Sequence, residues 1–166
     1  MFLHKVIHVS LDSFHEKSKG KRVALLYPWT NYRNLFLAYF LNRAQEGLLY
    51  YRVKTYAEPQ SLAEIITDLV DQIGQVVGSF GKKTRAALKK ANPVTMGEAL
   101  AADLAAYSKE SVVLYIDEID KIPLDDACIQ FVEALVEKLP EKVQLAVSIR
   151  LLTYNPWAAM VAEGNA

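Results

Sequence analysis

Short apolar runs alternate along this chain with longer segments in which apolar residues recur every three or four positions. Short apolar or β-branched runs are typical of strands, and the three-to-four spacing is typical of helices that pack on one side. The predicted strands are residues 5–11, 22–27, 48–54, 112–116 and 143–149, with a polar stretch at 12–21. The predicted helices are residues 32–46, 61–77, 82–91, 95–107, a segment that follows residues 125–126, and 156–163.

This alternation of strands and helices predicts an α/β fold with a mainly parallel sheet and helices on both faces, a three-layer α/β/α arrangement. The strands at 23–27 and 112–116 are short and nearly all apolar, so we expect them to be adjacent in the centre of the sheet. The helix after residue 126 should turn one apolar face to the sheet, formed by Cys128, Val132, Leu135 and Leu139.

Composition indicates one folded domain, residues 1–166, in which residues 1–21 form an N-terminal extension. Of the 166 residues 52% are hydrophobic, and 19 basic residues balance 19 acidic ones, which argues against a strongly basic nucleic-acid footprint. Cys128 is the single cysteine, so the chain can form neither an internal disulfide nor a cysteine-rich zinc site. No apolar run approaches the length of a membrane span, so we expect no membrane contact and a cytoplasmic location.

Two acids follow the apolar strand at 112–116. In nucleotide-hydrolysing α/β proteins, an acid in the place of Asp117 holds Mg²⁺, and a second acid, here Glu118, positions the attacking water. Successive side chains on a strand point to opposite faces, so both acids can face one ligand only if the backbone turns between them. The alternative is that both acids lie in a solvated loop, where they cap a helix or pair with Lys121.

The loop that would bind phosphate lies between the predicted strand at 22–27 and the predicted helix at 32–46, at residues 27–34. A phosphate-binding loop needs glycines whose N–H groups turn inward, a lysine and a hydroxyl residue. This loop contains no glycine, and Pro28 lacks an N–H. Arg33 stands where the lysine would be and Asn34 where the hydroxyl would be, and Thr30 is a further candidate for contact with a nucleotide.

Arg150 and the basic residues within 82–90 could contact a ligand or partner, but each also has a purely structural explanation. Arg150 follows the last predicted strand, where an arginine could contact a phosphate or a partner's carboxylate; a capping or surface position explains it equally well. The basic residues within 82–90 could contact nucleic acid or an acidic partner, although a solvated helix face also explains them. Because ligands bind beyond the carboxyl ends of parallel strands, we expect residues 27–34, 117–121 and 148–150 to share one edge of the sheet.

The order of these features resembles the N-terminal P-loop NTPase-like (STAND/AAA-like) domain of large LuxR/MalT-type or SARP-type bacterial transcriptional activators. The resemblance covers roughly residues 22–164. It rests on an apolar strand ending in acids, an amphipathic helix, a Leu139-Pro140 pair, a strand ending in Ser148-Ile149-Arg150 and a proline-containing tail. In place of the family's phosphate-loop residues the chain has Tyr27, Thr30, Arg33 and Asn34.

The resemblance implies a fragment of a larger multidomain regulator that transmits a signal or assists domain assembly, without hydrolysing ATP and without a cofactor. Its partners would be other domains of the same regulator, with DNA contacted through a separate domain. One alternative is an active ATP-binding module that uses Arg33, Asp117 and Glu118, with ATP as cofactor and Mg²⁺ at Asp117. A second alternative is a protein-interaction domain unrelated to transcription.

The family continues into further domains beyond the proline-containing tail. We therefore expect Trp157 and Met160 to lie on a surface meant for a neighbouring domain, through which the isolated domain could self-associate.

Overall fold

The computed structural model describes residues 10–26, 33–55, 58, 60–150 and 155–166, with Arg33 and Glu46 described by their backbone only. The strands are β1 (Val23–Leu26), β2 (Leu48–Arg52), β3 (Val112–Asp117) and β4 (Val143–Ser148). The helices are α1 (Leu11–Ser18), α2 (Arg33–Ala44), α3 (Leu62–Val76), α4 (Lys82–Leu88), α5 (Pro93–Ala106), α6 (Asp126–Lys138) and α7 (Trp157–Ala162). No helix in these described ranges is long and apolar enough to cross a membrane.

The four strands form one all-parallel sheet in the order β1-β4-β3-β2. The predicted α/β class is therefore confirmed. The prediction that β1 and β3 are adjacent in the centre is wrong, because β4 lies between them and β1 is at one edge of the four described strands. Every residue of β4 is buried, whereas the four-residue β1 includes the half-buried Leu25. An apolar run indicates burial on both faces, but it does not say which strand lies beside it.

Helices cover both faces of the sheet, but unequally. Along β3, Leu114 and Ile116 join a large core cluster to which α3, α4, α5, α6 and α7 contribute. Val113 and Tyr115 point the other way, into a smaller cluster with α1 and α2. This alternation is the ordinary two-residue period of a strand. The core on one face of the sheet is larger than the core on the other.

Two predicted helices begin where their capping residues indicate. The side chain of Asp125 accepts a hydrogen bond from the backbone N–H of Cys128 at 2.9 Å and so caps α6. The side chain of Ser61 and the N3 residue Glu64 form a reciprocal capping box at the start of α3. The face of α6 is confirmed as predicted, since all four of its members are buried against the sheet side: Cys128, Val132, Leu135 and Leu139.

Two helix starts differ from the predictions. Leu11 begins α1 rather than ending a strand, because the side chain of Ser10 caps the helix through the N–H of Ser13; residues 5–9 lie outside the described ranges. α5 begins at Pro93, two residues before the predicted start at residue 95, because Asn92 Oδ1 accepts the N–H of Thr95 at 2.9 Å. Proline is favoured at the first helical position, where no N–H is needed.

The prediction that Trp157 and Met160 lie on an exposed surface near the end of the chain is wrong. Trp157 is 0% exposed and Met160 is 4% exposed, and both belong to the large core cluster. Two large apolar side chains one helical turn apart form a stripe that α7 packs inward. The hypothesis of a missing neighbour at this end therefore has no exposed apolar side chain at Trp157 or Met160 to support it.

Candidate functional site

The carboxyl ends of three strands bring together the acids after β3 and several polar side chains. Arg52 at the end of β2 lies opposite Asp117 in the parallel register, and Ser148 ends the adjacent β4. Ile149 donates its N–H to the carbonyl of Leu26 at 3.1 Å, so β1 ends at the same edge. The expectation that residues 117–121 and 148–150 share one edge is confirmed, whereas residues 27–32 lie outside the described ranges.

Asp117 is fully buried and holds hydrogen bonds from two neighbouring strands. Its Oδ1 accepts the hydroxyl of Ser148 at 2.7 Å, and its Oδ2 accepts the hydroxyl of Tyr50 at 2.7 Å. Ser148 Oγ in turn accepts the backbone N–H of Glu118 at 2.7 Å. A buried carboxylate is costly unless it is hydrogen-bonded, and these contacts satisfy it while joining β2, β3 and β4.

The backbone turns sharply directly after Asp117. Glu118 has φ 60° and ψ 45°, a left-handed conformation that costs a residue with a side chain on the order of 1–3 kcal/mol. The turn brings its carboxylate to the same guanidinium that faces Asp117, because Arg52 Nε lies 2.9 Å from Glu118 Oε2 and 4.0 Å from Asp117 Oδ2. Both acids therefore lie beside one cation, the arrangement that strand alternation alone would forbid.

Glu118 is also paired with a second cation. Lys121 Nζ lies 2.6 Å from Glu118 Oε2, so the predicted pairing with Lys121 is found. The predicted solvated loop is wrong, since Glu118 is only 4% exposed and Asp117 is 0% exposed. The polar cluster formed by Tyr50, Arg52, Asp117, Glu118, Lys121 and Ser148 is called the acid junction below.

The acid junction keeps Glu118 ionised. The hydrogen bond from Arg52 lowers the pKa of Glu118 to about 2, with Lys121 acting in the same direction and burial opposing both. The same hydrogen bond to Glu118 raises the pKa of Arg52. A general base is most effective when its pKa lies near the working pH. A carboxylate with a pKa of about 2 therefore has little tendency to take a proton from water near neutral pH.

Magnesium fits the acid junction poorly. Mg²⁺ prefers near-octahedral coordination, keeps several waters and is usually bound through carboxylate oxygens that waters can reach. Both oxygens of Asp117 already accept protein hydroxyls, and the side chain has no exposed surface. In the part of the chain that the structure describes, no group of three or more His, Cys, Asp or Glu side chains could hold a metal ion.

The remaining candidate residues are Thr30, Arg33, Asn34 and Arg150. Thr30 lies outside the described residues, and Arg33 begins α2 with its side chain not described. Asn34 is exposed in the first turn of α2. Arg150 is exposed, and its backbone N–H donates to Asp120 Oδ2 at 2.6 Å. A nucleotide pocket formed by these four residues stays a prediction.

Sequence reasoning missed two members of the acid junction, Tyr50 and Arg52. Both had been counted within a predicted strand, where tyrosine is common. Their two-residue spacing places them on one face of β2, and the parallel register sets them opposite Tyr115 and Asp117. A polar pair spaced by two at the carboxyl end of a strand is the sequence signal that could have pointed to them.

No family model matches the chain. A search of curated proteins likewise finds no match.

Proposed function

We propose that this chain is a non-hydrolysing, P-loop-like regulatory domain whose acid junction holds the sheet edge together instead of binding nucleotide. The domain would act in signal transmission or domain assembly within a larger bacterial transcriptional activator. Its partners would be other domains of that regulator, and it would work without a cofactor. The transcriptional setting is supported only by the sequence resemblance, whereas the loss of hydrolysis is supported by the geometry of the acid junction.

The observation that carries the proposal is the engagement of both Asp117 oxygens by protein hydroxyls. In an active site the acid at this position must offer an oxygen to Mg²⁺ or to its waters. Here Ser148 and Tyr50 occupy those positions at 2.7 Å each. Asp117 also has no exposed surface, so a hydrated ion could reach these oxygens only by opening a buried, hydrogen-bonded site, where unpaired polar groups are costly.

The pairing of Glu118 supports the same conclusion. A water-activating acid needs a pKa suited to accepting a proton. Arg52 and Lys121 both contact Oε2 of Glu118, and they hold its pKa at about 2. The two cations therefore stabilise the carboxylate in a form that is poor at taking a proton.

A titration with Mg-ATP, together with a turnover assay, tests the proposal. We expect no turnover above background and a dissociation constant weaker than about 1 mM, because the loop lacks glycine and the acids are already paired. Arg33→Ala should change nothing, and neither should its control Arg43→Ala at the other end of α2. Micromolar binding that is lost in Arg33→Ala and kept in Arg43→Ala would establish the ATP-binding alternative instead.

A DNA-binding measurement tests the assignment of partners. If DNA is contacted through a separate domain, this chain should bind duplex DNA no more tightly than nonspecific proteins do, with dissociation constants of about 10⁻⁴–10⁻⁶ M at physiological salt. Fluorescence anisotropy with labelled duplexes of unrelated sequence is the assay. Tight binding that depends on the DNA sequence would contradict this part of the proposal.

A further inference from the structure

The first helix after β1 is apolar on both sides. α2 turns Phe40 and Ala44 into the smaller core cluster, where both are buried. Its opposite side carries Leu35, which is 38% exposed, Leu41, which is 55% exposed, and Ala38, which is also exposed. A helix that is hydrophobic all round is normally covered on all sides. The outer side of α2 therefore has the composition of a buried face, although its leucines are exposed and none of the described residues buries them.

The outer face of α2, formed by Asn34, Leu35, Ala38, Leu41 and Asn42, is also free of charge. No charged residue occurs from position 34 to position 42. At 100° per residue, these five positions fall within one sector of about 120°, with Ala38 near its middle. Most exposed helix faces carry charged side chains, so a charge-free face is consistent with a surface that becomes buried.

The sequence of this segment is nearly the same in both directions. Read outward from Ala38, leucine occurs three positions away on each side, at Leu35 and Leu41. Asparagine occurs four positions away on each side, at Asn34 and Asn42. A two-fold axis that crosses an antiparallel helix pair at Ala38 places residue i level with residue 76 − i of the other helix. Each leucine is then level with a leucine, and each asparagine with an asparagine.

We propose that the outer face of α2 is a self-association surface on which a second copy of this chain docks antiparallel, with the two helices crossing at Ala38. A two-fold interface uses the same patch twice, so it must be complementary to itself. The face meets this requirement because it has no charge to repel its own copy. Its asparagine amides are both donors and acceptors, so they can bond to one another.

Ala38 at the crossing point allows a close approach. Packed helices lie about 8–10 Å apart, and the shorter distances need small side chains at the contact. The leucines on either side of Ala38 then fill the space around the crossing. The interface is small, because a 12-residue helix is only about 18 Å long. It falls below the roughly 800 Å² per partner of a standard interface, so the dimer should be transient.

This surface is independent of the acid junction. The acid junction lies at the carboxyl ends of β2, β3 and β4, whereas the docking face is the solvent side of α2. Self-association can therefore be tested without any assumption about nucleotide. It also differs from the self-association expected at Trp157, a side chain that proved to be buried.

Sedimentation velocity over a range of concentrations gives the first test. The weight-average sedimentation coefficient of the wild-type chain should rise with protein concentration at tens to hundreds of micromolar. That of Leu41→Glu should stay at the monomer value. Val76→Glu is the matched control, because Val76 is 86% exposed on α3 and lies outside the docking face. Raising the salt concentration should not weaken the dimer, since apolar contacts are not screened. A wild-type chain that stays monomeric, or a Leu41→Glu chain that associates like wild type, would overturn the proposal.

A cysteine at the crossing point gives the second test. Cys128 is the only native cysteine; it is buried, and its desolvation raises the pKa of the thiol to about 12, so it should not react. With oxidised glutathione as oxidant, Ala38→Cys should form a disulfide-linked dimer at least ten times faster than Val76→Cys. A disulfide needs Cα atoms within about 7 Å, which only a crossing close to position 38 provides. Equal rates for the two variants would exclude this geometry, even if some other dimer exists.

Discussion

Two buried aspartates in different regions of the molecule both accept hydrogen bonds from protein donors. Asp117 ends β3 and accepts two hydroxyl hydrogen bonds within the acid junction. Asp103 lies in α5 and is 7% exposed; it accepts the backbone N–H of Lys83 at 3.2 Å, and both the N–H and the hydroxyl of Thr84 at 2.8 Å. Asp103 thereby supplies acceptors for the first turn of α4, which has no acidic residue of its own.

The difference between the two lies in how they look in the sequence. Asp117 follows an apolar strand and precedes a second acid, a pattern typical of magnesium-dependent hydrolysis, whereas Asp103 lies inside a helix without any such context. In the folded chain both carboxylates accept hydrogen bonds from the protein, as buried acids must. Only the acid junction adds a pair of cations, which contact Glu118. The comparison teaches that a catalytic-looking position can be occupied by a carboxylate that connects strands.

Removing the Asp117 carboxylate should have the largest effect. Asp117→Ala deletes two charge-assisted hydrogen bonds, each contributing about 1.5–3 kcal/mol, and leaves two cations beside a single acid. We expect the free energy of unfolding to fall by about 3–5 kcal/mol in urea melts. A loss below about 1 kcal/mol would mean that Asp117 does not connect the strands. The two buried aspartates would then not share a structural role.

The same truncation at Asp103 should cost less. Asp103→Ala removes three hydrogen bonds at the start of α4, but water can reach part of that helix end, so about 2–3 kcal/mol should be lost. Glu98→Ala, an exposed position on the same helix, serves as control and should change stability by less than about 0.5 kcal/mol. If Asp103→Ala proved more costly than Asp117→Ala, the α4–α5 contact would be the more important of the two.

The two hydroxyls that contact Asp117 should differ in their effect. Ser148→Ala removes a donor to Asp117 and also leaves the buried N–H of Glu118 without its acceptor, so about 2 kcal/mol should be lost. Tyr50→Phe removes one donor at a half-buried site and should cost about 1 kcal/mol. Urea melts of both variants and of the double mutant measure the two effects and their coupling. Equal losses would show that the bond from Glu118 to Ser148 contributes little.

Glu118→Gln should have an effect as small as that of Tyr50→Phe, and that effect should depend on pH. The pKa of Glu118 in the folded chain, about 2, lies below its ordinary value of 4.5, so its ion pairs stabilise the fold above pH 4.5. That stabilisation is lost as the pH falls from 4.5 towards 2. We expect Glu118→Gln to cost about 1 kcal/mol at pH 7, where Arg52 is partly exposed and screened, and progressively less below pH 4.5.

Melts of Glu118→Gln and wild type between pH 7 and pH 3 follow this change directly. Glu133→Gln on the exposed side of α6 is the control for general acid effects. A difference between Glu118→Gln and wild type that stays constant over this range would contradict the assigned ion pairs.

Much of the fold could be predicted from the sequence because strands and helices are indicated by local patterns of apolar and capping residues. The apolar runs at β3 and β4 and the capping residues Ser61 and Asp125 gave the correct elements. The order of strands could not be predicted, because it depends on which strands pair over long separations. The burial of Trp157 was missed for the same reason, since the core cluster to which it belongs is formed by distant parts of the chain.

The candidate site was predicted only in part. The position of Asp117 and Glu118 at the carboxyl edge follows from parallel topology, and it is confirmed. Of their partners only Lys121 was predicted. Arg52 was not, because it is more than 60 residues away along the chain and the turn at Glu118 has no glycine to signal a left-handed backbone. Whether Thr30, Arg33, Asn34 and Arg150 contact any ligand stays a prediction.

The most direct test of the acid junction is the effect of Mg-ATP on the stability of the wild-type chain and of Asp117→Asn. If Asp117 connects strands and does not hold Mg²⁺, 5 mM Mg-ATP should raise the free energy of unfolding of either protein by no more than about 1 kcal/mol. Asp117→Asn should then be destabilised to the same extent with and without the nucleotide. A site with a dissociation constant of about 10 µM would instead stabilise the wild type by about 3–4 kcal/mol. A stabilisation of that size that disappears in Asp117→Asn would contradict the account.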